Sequence, residues 1–436
     1  MKNIFFVILF IFAFSIFAEA QNDSLLGNRL IEKMFAHRFA EAETYFDESI
    51  KTKIDKKILE QVVTSLETSI GKYKQPLGFH QQTDSVYNFL FYYSEFEKTK
   101  MDLKFTFNKN HKVLGFFLVE HQNTETLKPE ADNTFYTNSV LKIPSKTIVL
   151  SGTLTQPKIV SDGKKIIAVL VHGSGPNDRD ETVGINKPFK DIAEGLAKNG
   201  INVFRYDKRT FSAPESLNPN KLTIDDEVTD DVVNIVRFLK KNDSLHDTRI
   251  FVIGHSLGAM LAPRIALVLG DTLAGVVMMA ANARPLEVAA LEQIEYLLHN
   301  QPTEDMKKFA ADFKHRLDYL HSAQFDKDSP TASLPFNTPA SYWMSLHVYD
   351  QVATLKQLTL PILILQGERD YQVTMTDFKI WQNATAGNKN VRTQSYPKLN
   401  HLFMPGEGNS VPAEYMIANH IPDAVINEMA EWMKGQ

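Results

Sequence analysis

The chain has 436 residues, a length that favours two or three domains. Its hydrophobic fraction of 43% and charged fraction of 23% are those of an ordinary globular protein, which excludes a wholly disordered or collagen-like chain. The net charge of −5 argues against a general nucleic-acid-binding protein, and the absence of cysteine excludes disulfides, thiolate catalysis, cysteine-ligated zinc and lipoprotein acylation.

The first 20 residues have the layout of a secretory signal peptide. A short positively charged start precedes an unbroken apolar run from Ile4 to Phe14, and Ala18-Glu19-Ala20 supplies a small-residue cleavage site. The alternative is a retained membrane anchor, but the apolar stretch that ends at Ala18 is shorter than the ~20 residues a spanning helix needs. We therefore predict an exported protein, periplasmic or extracellular, with a signal peptide at residues 1–20 and no stable membrane insertion after its removal.

Residues 21–128 predict a small α+β domain. Helical spacing covers residues 25–35, Phe39–Phe46 and Ile54–Ile70. Three strand-like runs follow, namely Val86–Tyr93, Leu103–Phe107 and Val113–Val119. Helices followed by an antiparallel sheet resemble the small domains of the nuclear transport factor type that precede some bacterial hydrolases. A polar stretch from Gln122 to Asn138 is predicted to be the linker.

Residues 129–436 predict an α/β domain, because strands and helices alternate along them. The predicted strands are Ile166–Val171, Asn202–Tyr206, Arg249–Ile253, Gly275–Ala280 and Ile362–Gln366, and the helices are Phe189–Lys198, Val228–Lys240, Met260–Leu269 and one that Pro422 begins. Continuous apolar strands between helices indicate a mostly parallel sheet covered on both faces.

One long stretch interrupts this alternation. About 80 residues between Ala280 and Ile362 have no strand signal but contain helical spacing. Such a stretch is either a functional lid or a mistaken assignment of elements. We predict a helical cap over residues 285–355, in which the large side chains of Tyr342 and Trp343 are candidates for the wall of an acyl pocket.

Gly254-His255-Ser256-Leu257-Gly258 is a G-x-S-x-G motif. The alternative is a glycine-rich turn with an idle serine. The context favours a nucleophile, because an apolar strand precedes the motif and a helix follows it. A sharp strand–turn–helix bend exposes the Ser256 hydroxyl above the helix N-terminus, whose partial positive charge favours a developing oxyanion. His255 is interpreted as structural.

A serine hydroxyl needs a base, and this class of motif has the order serine, acid, histidine. Asp370 follows the strand that ends near Gln366, at the sheet edge where ligands bind in open α/β folds. His401 lies in a later loop and is preferred over His420, which adjoins the last helix. Glu368 and Asp377 remain rival acids.

The oxyanion that forms when Ser256 attacks needs two hydrogen-bond donors. The backbone N–H of Leu257 is one by position. The second is assigned to the backbone N–H of Ser174, in the loop His172-Gly173-Ser174-Gly175 that follows the first parallel strand. The alternative is that His172-Gly173 only ends that strand.

Two charged clusters lie near strand ends, at residues 178–181 and 205–209. They either bind a charged group of the substrate or form ion pairs that hold the loops. No H-E-x-x-H, EF-hand or Walker motif is present, so neither a metal nor a cofactor is expected.

Residues 140–436 resemble the α/β-hydrolase superfamily. The resemblance rests on the ordered set of the Gly173 loop, Arg205-Tyr206-Asp207, the Ser256 motif, Gly367-Glu368-Arg369-Asp370 and Asn400-His401. This set is similar to that of secreted bacterial esterases with a small N-terminal domain, often grouped with the serine aminopeptidase-like branch. The resemblance implies a metal-free serine esterase with Ser256, Asp370 and His401 as the triad.

The sequence therefore predicts an exported carboxylic-ester hydrolase that acts through an acyl-enzyme on small, short-chain esters. A serine peptidase is the alternative within enzymes, because the same triad serves both reactions. A non-catalytic binding protein on a hydrolase scaffold is the alternative from another class.

Overall fold

The computed structural model describes residues 26–51, 54–83, 88–108, 110–119, 133–159, 165–242, 245–300 and 302–436. The predicted signal peptide at residues 1–20 lies outside the described residues. The chain divides between Lys128 and Pro129 into two compact units. Within the described ranges, no helix is both long enough and apolar enough to span a membrane.

In its described residues, the first unit combines three α-helices with a four-stranded antiparallel sheet. The helices are α1 (residues 26–35), α2 (Phe39–Ala42) and α3 (Lys56–Ile70). The strands follow in the order β1-β2-β3-β4, with β1 (Tyr73–Thr83), β2 (Asn88–Phe96), β3 (Lys100–Phe107) and β4 (Val113–Val119).

Strand β1, which contains Pro76 and Gly78, is not among the three strands that the sequence predicts. In the structure the pairing of β1 with β2 shifts register between these two residues. Edge strands tolerate proline and glycine at such irregularities. The sheet of this unit therefore has one strand more than its sequence indicated.

The second unit has an eight-stranded sheet in the order β12-β11-β10-β9-β7-β8-β6-β5. The strands are β5 (Tyr136–Ser145), β6 (Ile148–Pro157), β7 (Ile166–Val171), β8 (Asn202–Tyr206), β9 (Arg249–His255), β10 (Leu273–Met279), β11 (Ile362–Gly367) and β12 (Val391–Tyr396). Strands β7 to β12 are parallel, whereas β5 and β6 form an antiparallel hairpin at one edge.

The hairpin of β5 and β6 was also missed, and β5 begins inside the predicted linker at residues 122–138. Strand β5 lies at the edge of the sheet and leaves many of its side chains exposed or half-buried. Its hydrophobic periodicity is therefore weak, whereas every residue of the central strand β7 is buried. A strand is therefore easier to predict from the sequence when the sheet buries both of its faces.

Helices cover both faces of this sheet. They are α4 (Pro188–Lys198), α5 (Arg209–Ser212), α6 (Asp230–Lys241), α7 (Leu257–Leu269), α12 (Met375–Ala384) and α13 (Asp423–Gly435). Apolar residues of α4 and α13 pack in one core, and those of α6, α7 and α12 pack in another on the opposite face. This burial on both faces explains why the parallel strands are continuous apolar runs.

The segment between β10 and β11 is the cap, and its described residues contain four α-helices. They are α8 (Leu286–Asn300), α9 (Glu304–Leu320), α10 (Ala340–His347) and α11 (Gln351–Leu355). The Tyr349 hydroxyl donates to the carbonyl oxygen of Met260 at 2.8 Å, and the Gln351 amide donates to that of Ala283 at 3.0 Å. These bonds fasten the cap to α7 and to the loop after β10.

Candidate active site

Ser256 stands on a sharp turn between β9 and α7. Its φ of 53° and ψ of −117° are unfavourable for a residue with a side chain, so the surrounding structure must enforce them. A Cβ atom at Gly258 would lie 2.2 Å from the carbonyl oxygen of Val171, and one at Gly254 would lie 2.4 Å from that of Gly258. Both glycines of the motif are therefore required by close backbone packing, and the turn presents the serine at the end of the sheet.

Asp370 and His401, the predicted acid and base, are in direct contact. Nδ1 of His401 lies 2.7 Å from Oδ2 of Asp370, and both side chains are buried. The other carboxylate oxygen accepts hydrogen bonds from the backbone N–H groups of Gln372 and Val373 at 2.8 and 2.9 Å. The turn after β11 thus fixes the carboxylate, and the carboxylate in turn orients the imidazole.

His255 anchors the loop that contains His401. Nε2 of His255 lies 2.9 Å from the backbone oxygen of His401, and the two ring centroids are 4.7 Å apart. Because His255 directly precedes Ser256, this contact brings the loop of the candidate base, His401, to the residue next to the candidate nucleophile. The Ser256 hydroxyl makes no hydrogen bond among the described residues, and such bonds often close only when substrate binds.

Glu181 lies in the charged cluster at residues 178–181, for which the sequence predicts no individual role for each residue. Its Oε1 accepts the Gly173 N–H at 2.6 Å, and its Oε2 forms an ion pair with Nδ1 of His255 at 3.0 Å. Burial is the largest influence on the pKa of the Glu181 carboxyl and would raise it, but the charge and hydrogen bond of His255, together with His172 and the Gly173 N–H, lower that pKa. Burial is also the largest influence on His255 and opposes its charge, but the Glu181 carboxylate, together with the His401 backbone oxygen and Asp370, raises the pKa of His255. One buried carboxylate therefore holds both the Gly173 loop and His255.

Two ion pairs join the charged clusters at residues 178–181 and 205–209. Nε of Arg179 donates to Asp207 at 3.0 Å, and Arg205 contacts Asp180. These ion pairs between loops agree with one of the two alternatives left open by the sequence.

The two predicted oxyanion donors lie beside the serine. The N–H groups of Gly173 and Gly175 donate to buried carboxylates, at 2.6 and 3.2 Å, whereas Ser174 between them donates to no acceptor in the described part of the chain. The N–H of Leu257 opens α7 and is likewise without an acceptor there. A Cβ atom at Gly173 would lie 3.6 Å from Oγ of Ser256, so this loop reaches the nucleophile. Two backbone N–H groups without an acceptor in the described part of the chain are therefore available near the candidate nucleophile.

A cavity of about 500 Å³ opens onto Ser256. The cap supplies much of its apolar wall, and both predicted wall residues, Tyr342 and Trp343, line it. The Tyr342 hydroxyl donates to Oε2 of Glu227 at 2.6 Å, while Nζ of Lys208 donates to Oε1 at 2.5 Å. Glu227 is the one charged residue in the lining of this cavity, and its charge is already paired.

The structure places the rival acids and the rival histidine elsewhere. Glu368 accepts the hydroxyl of Ser395 at 2.8 Å, and Asp377 pairs with Arg284 at the foot of the cap. His420 is largely exposed and lies 2.9 Å from Asp191. In the described ranges none of the three forms a hydrogen bond or ion pair with the Asp370–His401 pair.

A family model described as serine aminopeptidase, S33, matches residues 165–408, more than half of the chain. The chain belongs to this family. The resemblance to the α/β-hydrolase superfamily and the predicted α/β-hydrolase fold are thereby confirmed. A second model, of a family of unknown function named DUF3887, matches residues 28–116 in the first unit.

The chain is also similar to named proteins. It is 34% identical to esterase EstD of Thermotoga maritima over 404 residues, which span 92% of this chain and 93% of the relative. Among solved structures, the esterase Pf2001 of Pyrococcus furiosus matches with a TM-score of 0.46 and 17% identity, over 69% of this chain and 91% of that one. Est1E of Butyrivibrio proteoclasticus matches with a TM-score of 0.46 and 15% identity, over 68% of this chain and 99% of that one.

Proposed function

We propose that this S33-family hydrolase is a carboxylic-ester hydrolase that acts through an acyl-enzyme on Ser256. The observation that carries the proposal is the buried Asp370–His401 contact of 2.7 Å, placed beside a strained serine that two free N–H groups flank. The similarity to esterase EstD, over nearly the full length of both chains, supports an ester as the substrate.

Each residue has one task in the proposed reaction. His401 accepts the proton of the Ser256 hydroxyl as the oxygen attacks the acyl carbon, and later returns it to the leaving alcohol. Asp370 keeps the imidazole in the required tautomer and stabilises its positive charge. The N–H groups of Ser174 and Leu257 stabilise the oxyanion. Water, activated by the same histidine, then releases the acid and restores the serine.

The charge of the cavity favours an ester over an aminoacyl peptide. An aminopeptidase must hold the ammonium group of its substrate, and an unpaired carboxylate is the natural partner for that group. Within the described lining of the cavity, the one carboxylate is Glu227, which Lys208 and Tyr342 already engage. A neutral acyl group therefore fits this cavity better than a charged amino terminus.

The same wall favours short acyl chains. Trp343 is 1% exposed, and the hydroxyl of Tyr342 is tied to Glu227, so neither aromatic ring swings freely out of the cavity. We accordingly propose small, short-chain esters as the substrate class, with the cap excluding water around the acyl group.

The proposed reaction is tested with purified protein on a panel of p-nitrophenyl esters and aminoacyl anilides. We expect turnover of acetate and butyrate esters, weak turnover of palmitate and none of the anilides. A fluorophosphonate probe should label one peptide, the one that contains Ser256. Faster cleavage of anilides than of esters would instead establish an aminopeptidase, and absence of both labelling and turnover would establish a non-catalytic protein.

We further propose that the protein is exported to the periplasm or beyond, with cleavage after Ala20. The support is the charged start, apolar run and A-x-A site of residues 1–20. N-terminal sequencing of the protein from fractionated cells tests this: the mature chain should begin at Gln21 outside the cytoplasm. An intact Met1 end in the cytoplasmic fraction would contradict export.

A further inference from the structure

A carboxylate and two imidazoles meet on the cap, each from a different helix. Glu287 lies in the first turn of α8, His321 directly follows α9, and His347 is the last residue of α10. Oε1 of Glu287 lies 3.5 Å from Nε2 of His321 and 3.4 Å from Nε2 of His347. One potential ligand atom of each residue lies within 4.8 Å of the other two.

These separations fit a small tetrahedral ion. Zinc bonds to nitrogen and oxygen ligands of about 2.0–2.1 Å place the ligand atoms of a tetrahedron about 3.3–3.4 Å apart. The two distances from the Glu287 oxygen are close to that value. The third distance, between the two imidazole nitrogens, would shorten by small rotations of the His321 and His347 side chains, which are 50% and 34% exposed.

The charge of the buried Glu287 carboxylate also favours a bound cation. Its side chain is 5% exposed, and in the described part of the chain neither a lysine nor an arginine pairs with it. A buried carboxylate is costly unless a positive charge compensates it, and the start of α8 supplies only a partial charge. A divalent cation bound between the carboxylate and the two imidazoles would complete the compensation.

We propose that Glu287, His321 and His347 bind one zinc ion, with a water molecule in the fourth position. Two imidazoles and one carboxylate are ligands that suit zinc, and three protein ligands with one open position form a known type of zinc site. The exposed edge of His321 provides the route of entry. This proposal does not depend on the proposed reaction at Ser256.

The ion would fix the cap helices relative to one another. Helix α8 also carries Leu286 and Ala289, and α10 carries Trp343, and all three residues line the cavity. Glu287 and His347 therefore belong to the same two helices that shape the cavity. The bound ion would therefore hold α8, α9 and α10 together.

Metal binding is measured on the full chain, produced without a histidine tag and stripped with a chelator. Calorimetry should give one zinc ion per chain with a Kd in the micromolar range or below. Cobalt should give the visible absorption bands of a tetrahedral site, which zinc then abolishes. His321→Ala, His347→Ala and Glu287→Gln should each weaken zinc binding at least about 10-fold. The control His315→Ala, on the exposed face of α9, should bind as the unaltered protein does.

Thermal unfolding provides the second measurement. Saturating zinc should raise the Tm of the unaltered protein and of His315→Ala by on the order of 5 °C, but not that of His321→Ala. Because the His321 side chain is half exposed, this variant should fold, and its circular dichroism spectrum checks that. Absence of stoichiometric zinc at about 100 µM, or unchanged affinity in a folded His321→Ala, overturns the proposal.

Discussion

The loops at the strand ends and the helices of the cap form two walls of one cavity, but different forces hold them. Backbone hydrogen bonds and buried ion pairs fix the loops: Asp370 accepts two N–H groups, and Glu181 accepts one and pairs with His255. Apolar packing and a few side-chain bonds hold the cap, such as the bond from Tyr342 to Glu227. Directional bonds suit groups that must react, because such groups tolerate little displacement. Apolar packing suits a wall, because its shape can change without loss of the chemistry.

The largest effect should come from the serine. Ser256→Ala removes the nucleophile, and we expect kcat/KM on a short-chain ester to fall by about 10³-fold or more with the fold intact. Fluorophosphonate labelling should disappear as well. Labelling that persists undiminished in the folded variant would contradict the assignment.

The two histidines after β11 should differ sharply. His401→Ala removes the base that Asp370 orients, so we expect a loss of kcat similar to that of Ser256→Ala. His420→Ala is the matched control: it removes an exposed imidazole that pairs with Asp191, and should leave kcat within about 2-fold. If the two variants behave the other way round, the site has been assigned to the wrong loop.

A smaller effect is expected at Glu181. Glu181→Gln keeps an acceptor for the Gly173 N–H but removes the charge that holds His255. We expect kcat to fall about 10- to 100-fold with little change in KM, because a displaced donor or base slows the chemical step more than binding. Glu368→Gln, which alters an exposed contact with Ser395, is the control. An equal loss in both variants would show that Glu181 has no positioning role.

The cap should control selectivity rather than chemistry. In the unaltered protein, we expect kcat/KM for p-nitrophenyl butyrate to exceed that for palmitate by more than about 10-fold. Trp343→Ala should narrow that ratio, because removal of a bulky wall lengthens the cavity. The control variant Met344→Ala, at the neighbouring exposed residue, should leave the ratio of kcat/KM for the two esters unaltered. Equal activity on both esters in the unaltered protein would mean an open groove.

The smallest expected effect is on stability below neutral pH. Burial lowers the pKa of His172 to about 4, whereas the unfolded chain binds this proton near pH 6.5. As the pH falls below 6.5, the unfolded state therefore gains a proton that the folded state does not accept. The free energy of unfolding should fall by roughly 2 kcal/mol between pH 6.5 and 5 from this residue alone.

The variant His172→Gln should have a flatter pH dependence over that window, as measured by chemical denaturation. His255 has a raised pKa, so the folded protein loses the stabilising charge of this residue as the pH rises above 6.5. Its effect on the free energy of unfolding therefore falls largely outside the window from pH 5 to 6.5. An unchanged slope in His172→Gln would contradict the neutral, buried state of His172.

Sequence reasoning succeeded where the physical requirement is local. The turn at Ser256 needs small neighbours within five residues, and the structure places the backbone of α7 and β7 against Gly254 and Gly258. Asp370 was predicted from the strand directly before it. Sequence reasoning failed where only one face of a strand is buried, as in β5, or where a strand contains an irregularity, as in β1 at Pro76.

The sequence by itself determined the alternation of strands and helices, the strandless segment that became the cap, and the candidates Ser256, Asp370 and His401, because each leaves a short-range pattern. Only the tertiary structure decided that Glu181 joins the Gly173 loop to His255. It alone brought together Glu287, His321 and His347, which are separated by 34 and 26 positions and share no motif. Such contacts depend on how whole helices and loops pack against each other, and no local spacing of residues encodes that packing.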